Sequence, residues 1–429
     1  MIKILWLCNI VLPDFSDEFD IKKNPYGGWM TGMLHQLEKR EDVNICLCFP
    51  IFDSNRRKDG ISNGHEYYSF LCDMDAETYS TEMVEAFEKI LEKSGPDIVH
   101  IWGTEYSHTG AMLQACNAKG ILSRAIVNIQ GLVSVCSKHY LSGLPEEIQK
   151  LKCDSGMSIE EEKLLFEKHG KCEIESIRMV KHVIGRTDWD RACVEAINPR
   201  VNYYFCNEIL RDIFYEEAGT WRYEECQKFS IFVSQASYPI KGFHYLLEAL
   251  PIVIGRFPDT QVYVAGTDIL GGLNEKPYAS YLKKLIEQFD LVNHISFLGN
   301  LNEVQMIQQY KKANVFLSAS TIENESNSLS ESKILGVPSI ASFVGGVCNR
   351  INTCVDGFLY PHDEPALMAY YICKIFENKN DLCTQFSKNS VRRVLEENNP
   401  QQTAECNVQI YKTILSDNTH KINPAERSK

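Results

Sequence analysis

The 429-residue chain is long enough for two domains, and its 44% hydrophobic and 24% charged residues are ordinary for a globular protein. With 44 Lys and Arg against 57 Asp and Glu, the formal charge is −13, which argues against nucleic acid as a partner but leaves room for one locally positive pocket. Its 16 cysteines include no CxxC pair, which reads as reduced thiols of a cytoplasmic protein rather than a zinc or disulfide framework.

In chain order, "IKILWLCNI" is expected as a first strand. The wider run "IKILWLCNIVLP" is too short for a secretory leader and runs into the acidic "DFSDEFD". "WMTGMLHQLEKR" has helical spacing, "VNICLCFPI" reads as a strand, and "EMVEAFEKILEKSG" is an amphipathic helix ending at Gly95. "DIVHIWG", "SRAIVNIQG", "KHVIGRT" and "VNYYFCN" follow as strands. Between them, residues 137–176 carry helical patterns and little strand character, so they are expected as a helical insertion in the N-terminal domain.

The alternation restarts at "KFSIFVSQ" and continues through "DTQVYVAGT", "ISFLG", "NVFLSAS" and "PSIASFVGG", with helical stretches between. Two α/β halves with doubly wound parallel sheets are therefore expected: residues 1–221 and 222–398. A helix at 399–416 is expected to pack back on the first half, with a polar tail at 417–429. No stretch is long and apolar enough for a transmembrane helix, while peripheral membrane contact stays open.

Ligands of open α/β sheets bind beyond the carboxyl ends of the strands, so the loops there hold the candidates. There is no GxGxxG and no GxxxxGK[ST], which disfavours a dinucleotide enzyme or a P-loop nucleotidase. Gly27 and Gly28, in "NPYGGWMTGM", let the backbone approach a ligand at a helix start, or form a plain turn. Lys241, where loop becomes helix, is either a diphosphate contact or a solvated lysine. In "IENESNSLSESKILGVPSIAS", Glu323 falls in a loop after a strand and has no capping role. Glu331 fits either a capping box with Ser328 or a carboxylate that grips vicinal hydroxyls, and Glu325 reads as a solvated acid. Glu105 and His108, in "WGTEYSH", are acceptor-side candidates or mere loop polarity, and His139 is a further acceptor-side candidate. His100, mid-strand, reads as a core histidine.

Glu323, seven residues, Glu331, then Gly336, Pro338 and Gly345-Gly346, resembles the donor-site motif of glycosyltransferase family 4. Lys241-Gly242, "DGFLYP" from Asp356 as a later loop, and Gly27-Gly28 extend the resemblance, which is strong over about 228–375 and weaker before it. It implies a GT-B fold, with two Rossmann-like domains facing a central cleft, and retaining, metal-independent sugar transfer. The donor would be a nucleoside-diphosphate sugar, a co-substrate, with no resident cofactor. The acceptor would be a hydroxyl of a glycan or lipid-linked saccharide, as in cell-surface, capsular or exopolysaccharide synthesis.

By that resemblance Glu323 binds donor-sugar hydroxyls, Glu331 the ribose, and Lys241 the diphosphate, with the amides of Ser326, Asn327 and Ser328 helping. The base lies against Gly299, Asn300 and Leu301. Ala236 stands where many members have an arginine, and Arg186 is a candidate substitute, unless it pairs with Asp188 or Asp190. Gln130 stands where many members have a histidine on the acceptor side. Asn324 and Asn327 replace the usual residues inside the motif, either tuning sugar choice or solvating the helix start. An epimerase or phosphorylase of the same architecture, or an inactive partner subunit, are the competing readings. The last draws on Ala236.

Overall fold

The computed structural model describes residues 1–23, 27–73, 76–152, 156–268 and 276–419. These form two units. The first comprises Met1–Val135, Phe166–Arg211 and the chain from Asn398, and the second comprises Cys136–Leu165 and Asp212–Glu397.

The first unit is built on strands β1 (Ile2–Leu7), β2 (Val43–Ile51), β3 (Gly60–Ser62), β4 (His65–Leu71), β5 (Ile98–Trp102), β6 (Ala125–Asn128), β7 (His182–Gly185) and β8 (Asn202–Phe205). Their order is β3-β4-β2-β1-β5-β6-β7-β8. Every pairing is parallel except β3 with β4. Apolar runs such as "ILWL" and "IVHIW" are buried along their whole length because helices cover both faces of the sheet. The β3–β4 hairpin was absent from the sequence expectation. Its signal is Asn63-Gly64, both with positive φ, flanked by strand-forming residues.

The second unit carries β9 (Ser230–Val233), β10 (Gln261–Val264), β11 (Ile295–Phe297), β12 (Val315–Ser318), β13 (Ser339–Ser342) and β14 (Phe358–Tyr360). Their order is β11-β10-β9-β12-β13-β14, all parallel. The order reverses between β9 and β12, which makes a switch point at their carboxyl ends. Residues read as the "DGFLYP" loop supply β14, because Phe358 and Tyr360 are buried against β13.

The boundaries differ from expectation in two places. The stretch 137–176, expected as an insertion of the first half, is divided, and Cys136–Leu165 belongs to the second unit. The crossing into the second unit comes at 211/212, not 221/222. The polar "EEAGTWRYEECQ" is tied into the second unit. Gly219 N–H donates to Ile334 O at 2.8 Å, Trp221 N–H to Leu335 O at 3.0 Å, and Trp221 Nε1 to Ala313 O at 2.8 Å. The helix Pro400–Thr419 belongs to the first unit, where Tyr411 OH meets His100 Nδ1 at 2.6 Å. Residues 420–429 of the expected polar tail lie outside the described residues. Among the described residues no helix is long and apolar enough to cross a membrane.

Candidate functional site

The loop after β9 turns through a short helix Pro239–Lys241 and is closed by Gly242 at φ +63° before the helix Phe243–Arg256. A Cβ at Gly242 would stand 2.0 Å from Ala319 O, so only glycine lets this turn pack against the end of β12. Thr321 N–H then donates to Ile240 O at 2.7 Å, joining the loops after the two strands of the switch point. The result is that Lys241 Nζ lies 2.8 Å from Glu323 Oε2.

Ser320 Oγ donates to the same carboxylate oxygen at 3.1 Å. Behind it, Gly346 N–H donates to Glu323 O at 3.0 Å, and a Cβ at Gly345 (φ +49°) would fall 2.0 Å from that oxygen. Lys241 and Glu323 keep 21% and 18% of their side-chain surface exposed, enough to meet a ligand. Burial alone would push the Lys241 ammonium down. The Glu323 carboxylate and the Tyr238 hydroxyl together outweigh it, so the net displacement is upward and the lysine stays charged.

The helix Asn327–Leu335 begins beside this pair. Its N-cap is Ser326, whose Oγ accepts from Leu329 N–H at 3.3 Å. Glu331 is therefore the fifth helical residue and not a capping-box partner of Ser328. Its buried carboxylate takes Tyr310 OH at 3.4 Å. Ser326, Asn327 and Ser328 sit where a helix start leaves backbone N–H groups without intrahelical partners. Asn324 is buried. Ala236 is buried too, its N–H donating to Gln235 Oε1 at 3.1 Å. Asn300 is exposed and Leu301 half-buried, just after β11 at the sheet edge.

Glu325 is not the solvated acid expected. Its side chain is 1% exposed and meets Arg350 Nη2 at 3.0 Å. Arg350 also reaches Glu397 at 3.2 Å, Arg393 bridges Glu397 at 2.7 Å and Asp356 at 3.2 Å, and Asp356 meets Lys333 at 3.1 Å. This chain of six charges runs under the helix that carries Glu331. Burial pushes the Lys333 ammonium down to about 8, with Asp356 opposing. Apart from Arg393 and Glu397, four residues apart on one helix, nothing in the sequence spacing announces the network.

In the first unit, Gly27 (φ +84°) caps the helix Gly28–Leu37. A Cβ at Gly27 would meet Ile10 Cδ1 at 2.2 Å, and one at Gly28 would meet Arg211 Cγ at 2.2 Å, so Gly27 is favoured by its positive φ and Gly28 by the Arg211 stem packed over it. Glu105 Oε1 accepts from Gly131 N–H at 3.0 Å, and burial pushes its carboxyl above the usual range. Gln130 Nε2 donates to Asn128 Oδ1 at 2.7 Å. Arg186 is 2% exposed, ion-paired with Glu208, and donates from Nη2 to Gln130 O at 3.1 Å. Asp190 accepts from the Arg186 backbone N–H at 2.9 Å.

Two of the histidines fall elsewhere than expected. The loop after β5 ends at Tyr106, and His108, 1% exposed on the helix Ser107–Ala118, faces Phe70 and Cys72 in the core. Burial pushes it down to about 4. His139 belongs to the second unit, where its backbone oxygen accepts from Thr321 Oγ1 at 3.2 Å, two residues from Glu323. Glu173 was missed in the sequence. It is fully buried and accepts from Thr104 Oγ1 (2.7 Å), Val133 N–H (3.1 Å), Ser134 N–H (3.0 Å) and Ser134 Oγ, fixing the loop after β6. Among the described residues no group of three His, Cys, Asp or Glu is placed to hold a metal.

The structure thus gathers Lys241, Ser320, Glu323 and the start of the helix Asn327–Leu335 at one switch point. It gathers Glu105, Gln130 and Arg186 beyond β5, β6 and β7 of the other sheet. The fold is GT-B, two Rossmann-like α/β units. Sucrose-phosphate synthase from Thermosynechococcus elongatus matches it with a TM-score of 0.70 at 16% identity, covering 97% of this chain and 100% of that one. Anabaena HepE in complex with UDP and glucose matches with a TM-score of 0.63 at 15% identity, covering 97% and 100%.

Residues 218–393 match the family of glycosyl transferases group 1. Among curated relatives, an uncharacterized glycosyltransferase of Methanocaldococcus jannaschii is 26% identical over 193 residues, 45% of this chain and 46% of the relative. Phosphatidyl-myo-inositol mannosyltransferase of Mycobacterium tuberculosis is 28% identical over 167 residues, 38% of this chain and 40% of the relative. The chain spans less than half the length of the curated relatives it matches.

Proposed function

We propose that the protein is a glycosyltransferase that moves a sugar, with retention of anomeric configuration, from a nucleoside-diphosphate sugar to a hydroxyl acceptor. The observation that carries this reading is the Lys241–Glu323 pair at the switch point of the sheet that matches glycosyl transferases group 1. A lysine held charged by a carboxylate is a site for a diphosphate. When the donor binds, the diphosphate takes over the ammonium, and Glu323 turns to the sugar hydroxyls. The free N–H groups at the start of the helix Asn327–Leu335 add to the anion site, and Glu331 receives the ribose.

The transition state gathers positive charge on the sugar ring and negative charge on the leaving phosphate. Lys241 and the helix start stabilise that departing charge, and the leaving phosphate oxygen takes the acceptor proton. The chain's own groups suffice for this without a side-chain general base, consistent with Gln130 at the position where many similar proteins have histidine. Glu105 and Gln130 are proposed to face the acceptor.

The donor proposed first is a UDP-sugar, which the similarity in fold to a UDP-binding protein supports. The acceptor proposed is a glycan or lipid-linked saccharide in cell-surface polysaccharide synthesis, at the inner membrane face. A relative named for transfer to a phosphatidyl-inositol supports a lipid-borne acceptor.

The test is a panel of UDP-, GDP- and ADP-sugars, following nucleotide release with and without acceptor extracts and reading the product anomer by NMR. Nucleotide release that requires acceptor, with retained configuration, is expected. Nucleotide release that does not require acceptor would point to an epimerase or phosphorylase of the same architecture, and absence of nucleotide binding by calorimetry would point to an inactive partner subunit.

A further inference from the structure

Cys206 and Cys406, about 200 residues apart in the chain, meet in the first unit. Cys206 follows β8, is 2% exposed, and is held by its backbone N–H to Gly185 O at 3.0 Å. Cys406 lies in the second turn of the helix Pro400–Thr419 and is partly exposed. The two thiols are brought together by contacts that each sulfur makes with residues flanking the other. The surroundings fix both sulfurs: Asn407 Nδ2 donates to Cys206 Sγ at 3.0 Å, Cys206 Sγ lies 3.6 Å from Thr403 O, and Cys406 Sγ lies 3.5 Å from Phe205 O.

Two features set this pair apart. One member is accessible, whereas Cys8 with Cys48 and Cys226 with Cys383, further neighbouring thiols among the described residues, are all buried. The accessible member is also the more acidic one. The neighbouring Cys206 thiol pushes the Cys406 thiol down to about 7, while burial pushes Cys8 and Cys48 well up. A thiolate that reaches solvent beside a second thiol is the arrangement of a sensor cysteine with its resolving partner.

We propose that Cys206 and Cys406 form a redox modification site at which hydrogen peroxide produces an intramolecular disulfide, clamping the helix Pro400–Thr419 to the end of β8. The Cys406 thiolate attacks the peroxide oxygen, breaking the O–O bond and becoming a sulfenic acid, and the hydroxide released takes a proton to leave as water. The Cys206 sulfur then attacks the Cys406 sulfur, the S–O bond breaks, and a second water leaves with the Cys206 proton. Two thiols are oxidised and one peroxide is reduced. Both chain crossings at 211/212 and 397/398 lie between the two cysteines, so the bond closes a covalent loop that contains residues 212–397. Closing so long a loop restricts the unfolded chain strongly, and the oxidised protein should melt later.

The test takes the full chain, reduced and desalted, through one equivalent of hydrogen peroxide, followed by alkylation and peptide mapping. The expected result is a Cys206–Cys406 linked peptide, loss of two free thiols, a Tm higher by several degrees, and reversal of all three by dithiothreitol. Cys406→Ser, a partly exposed helix position where serine is tolerated, should abolish both the link and the Tm rise. A map with no linked peptide, with Cys406 carried to sulfinate unlinked, or with the bridge between other cysteines, would overturn the proposal. The map of the unsubstituted protein decides this even if a Cys206 variant fails to fold.

Discussion

Lys241 Nζ and Glu323 Oε2 stand 2.8 Å apart although 82 residues separate them in the chain. They meet because β9 and β12 are neighbours at the reversal of strand order, and because Gly242 lets one loop lie directly on the other. Neither side chain is spent on the core, and each neutralises the other.

Lys241→Ala and Glu323→Ala should each lower turnover at least about 100-fold, the scale for losing one group that stabilises transition-state charge. Initial rates of nucleotide release with acceptor present measure this. Turnover like that of the unsubstituted protein in both variants would remove the site assignment.

Glu331→Gln separates the ribose role from the capping role that the helix geometry has already removed. Loss of a hydrogen bond to a charged group should weaken nucleotide binding by about tenfold or more. Calorimetric titration reads the affinity, and the melting temperature should hardly move, since Ser326 and not Glu331 caps the helix. A large fall in Tm with unchanged affinity would reverse the assignment.

Gly345→Ala and Gly242→Ala place a Cβ 2.0 Å from a backbone oxygen at a positive φ. Each should cost about 1–3 kcal/mol from strain alone and displace the glutamate or the lysine turn. Denaturant titration should show the loss of stability, and activity should fall with it. An unchanged midpoint with full activity would contradict the close approach.

Arg350→Met leaves Glu325 buried without its cation, and breaking a buried pair from one side costs about 3–5 kcal/mol. Thermal unfolding should show a clear drop, and pairing it with Glu325→Gln should recover part of it. A double variant no better than the sum of the singles would argue against the direct pair.

Glu173 gives a pH dependence with a definite sign. Burial raises its carboxyl from 4.5 to about 7, the donors of Ser134 and Thr104 opposing, so the folded chain holds a proton there that the unfolded chain has lost. Its stabilising contribution is full below about 4.5 and disappears as pH rises through about 7. The Tm of the unsubstituted protein minus that of Glu173→Gln should therefore fall across this window. A flat difference would mean that the donors from Thr104, Val133 and Ser134 hold the carboxylate ionised.

Much of this was legible in the sequence because it is written locally. The alternation of short apolar runs and helical stretches is a property of neighbouring residues, and the two-unit α/β architecture followed from it. Glu323 stood out for the same reason: it sits in a loop after a strand with nothing local to satisfy. The buried charge chain from Glu325 to Lys333 was invisible because its members come from separate elements and only Arg393 with Glu397 share a helical spacing. His108 was misplaced by two residues, since the strand-to-helix loop closes at Tyr106 and the helix begins at Ser107. The course of Cys136–Leu165 could not be read because helical periodicity says that a face is buried, not against which unit.

The division of the chain has a consequence for its synthesis on the ribosome. The backbone passes between the two units at 135/136, 165/166, 211/212 and 397/398, so neither is a continuous stretch. The sheet of the first unit is complete once β8 has emerged, yet the surface that receives Tyr411 beside His100 stays uncovered until the helix Pro400–Thr419 follows. The unit whose strands are made first is thus finished last, and through that interval its apolar flank is the part of the nascent chain most in need of a chaperone.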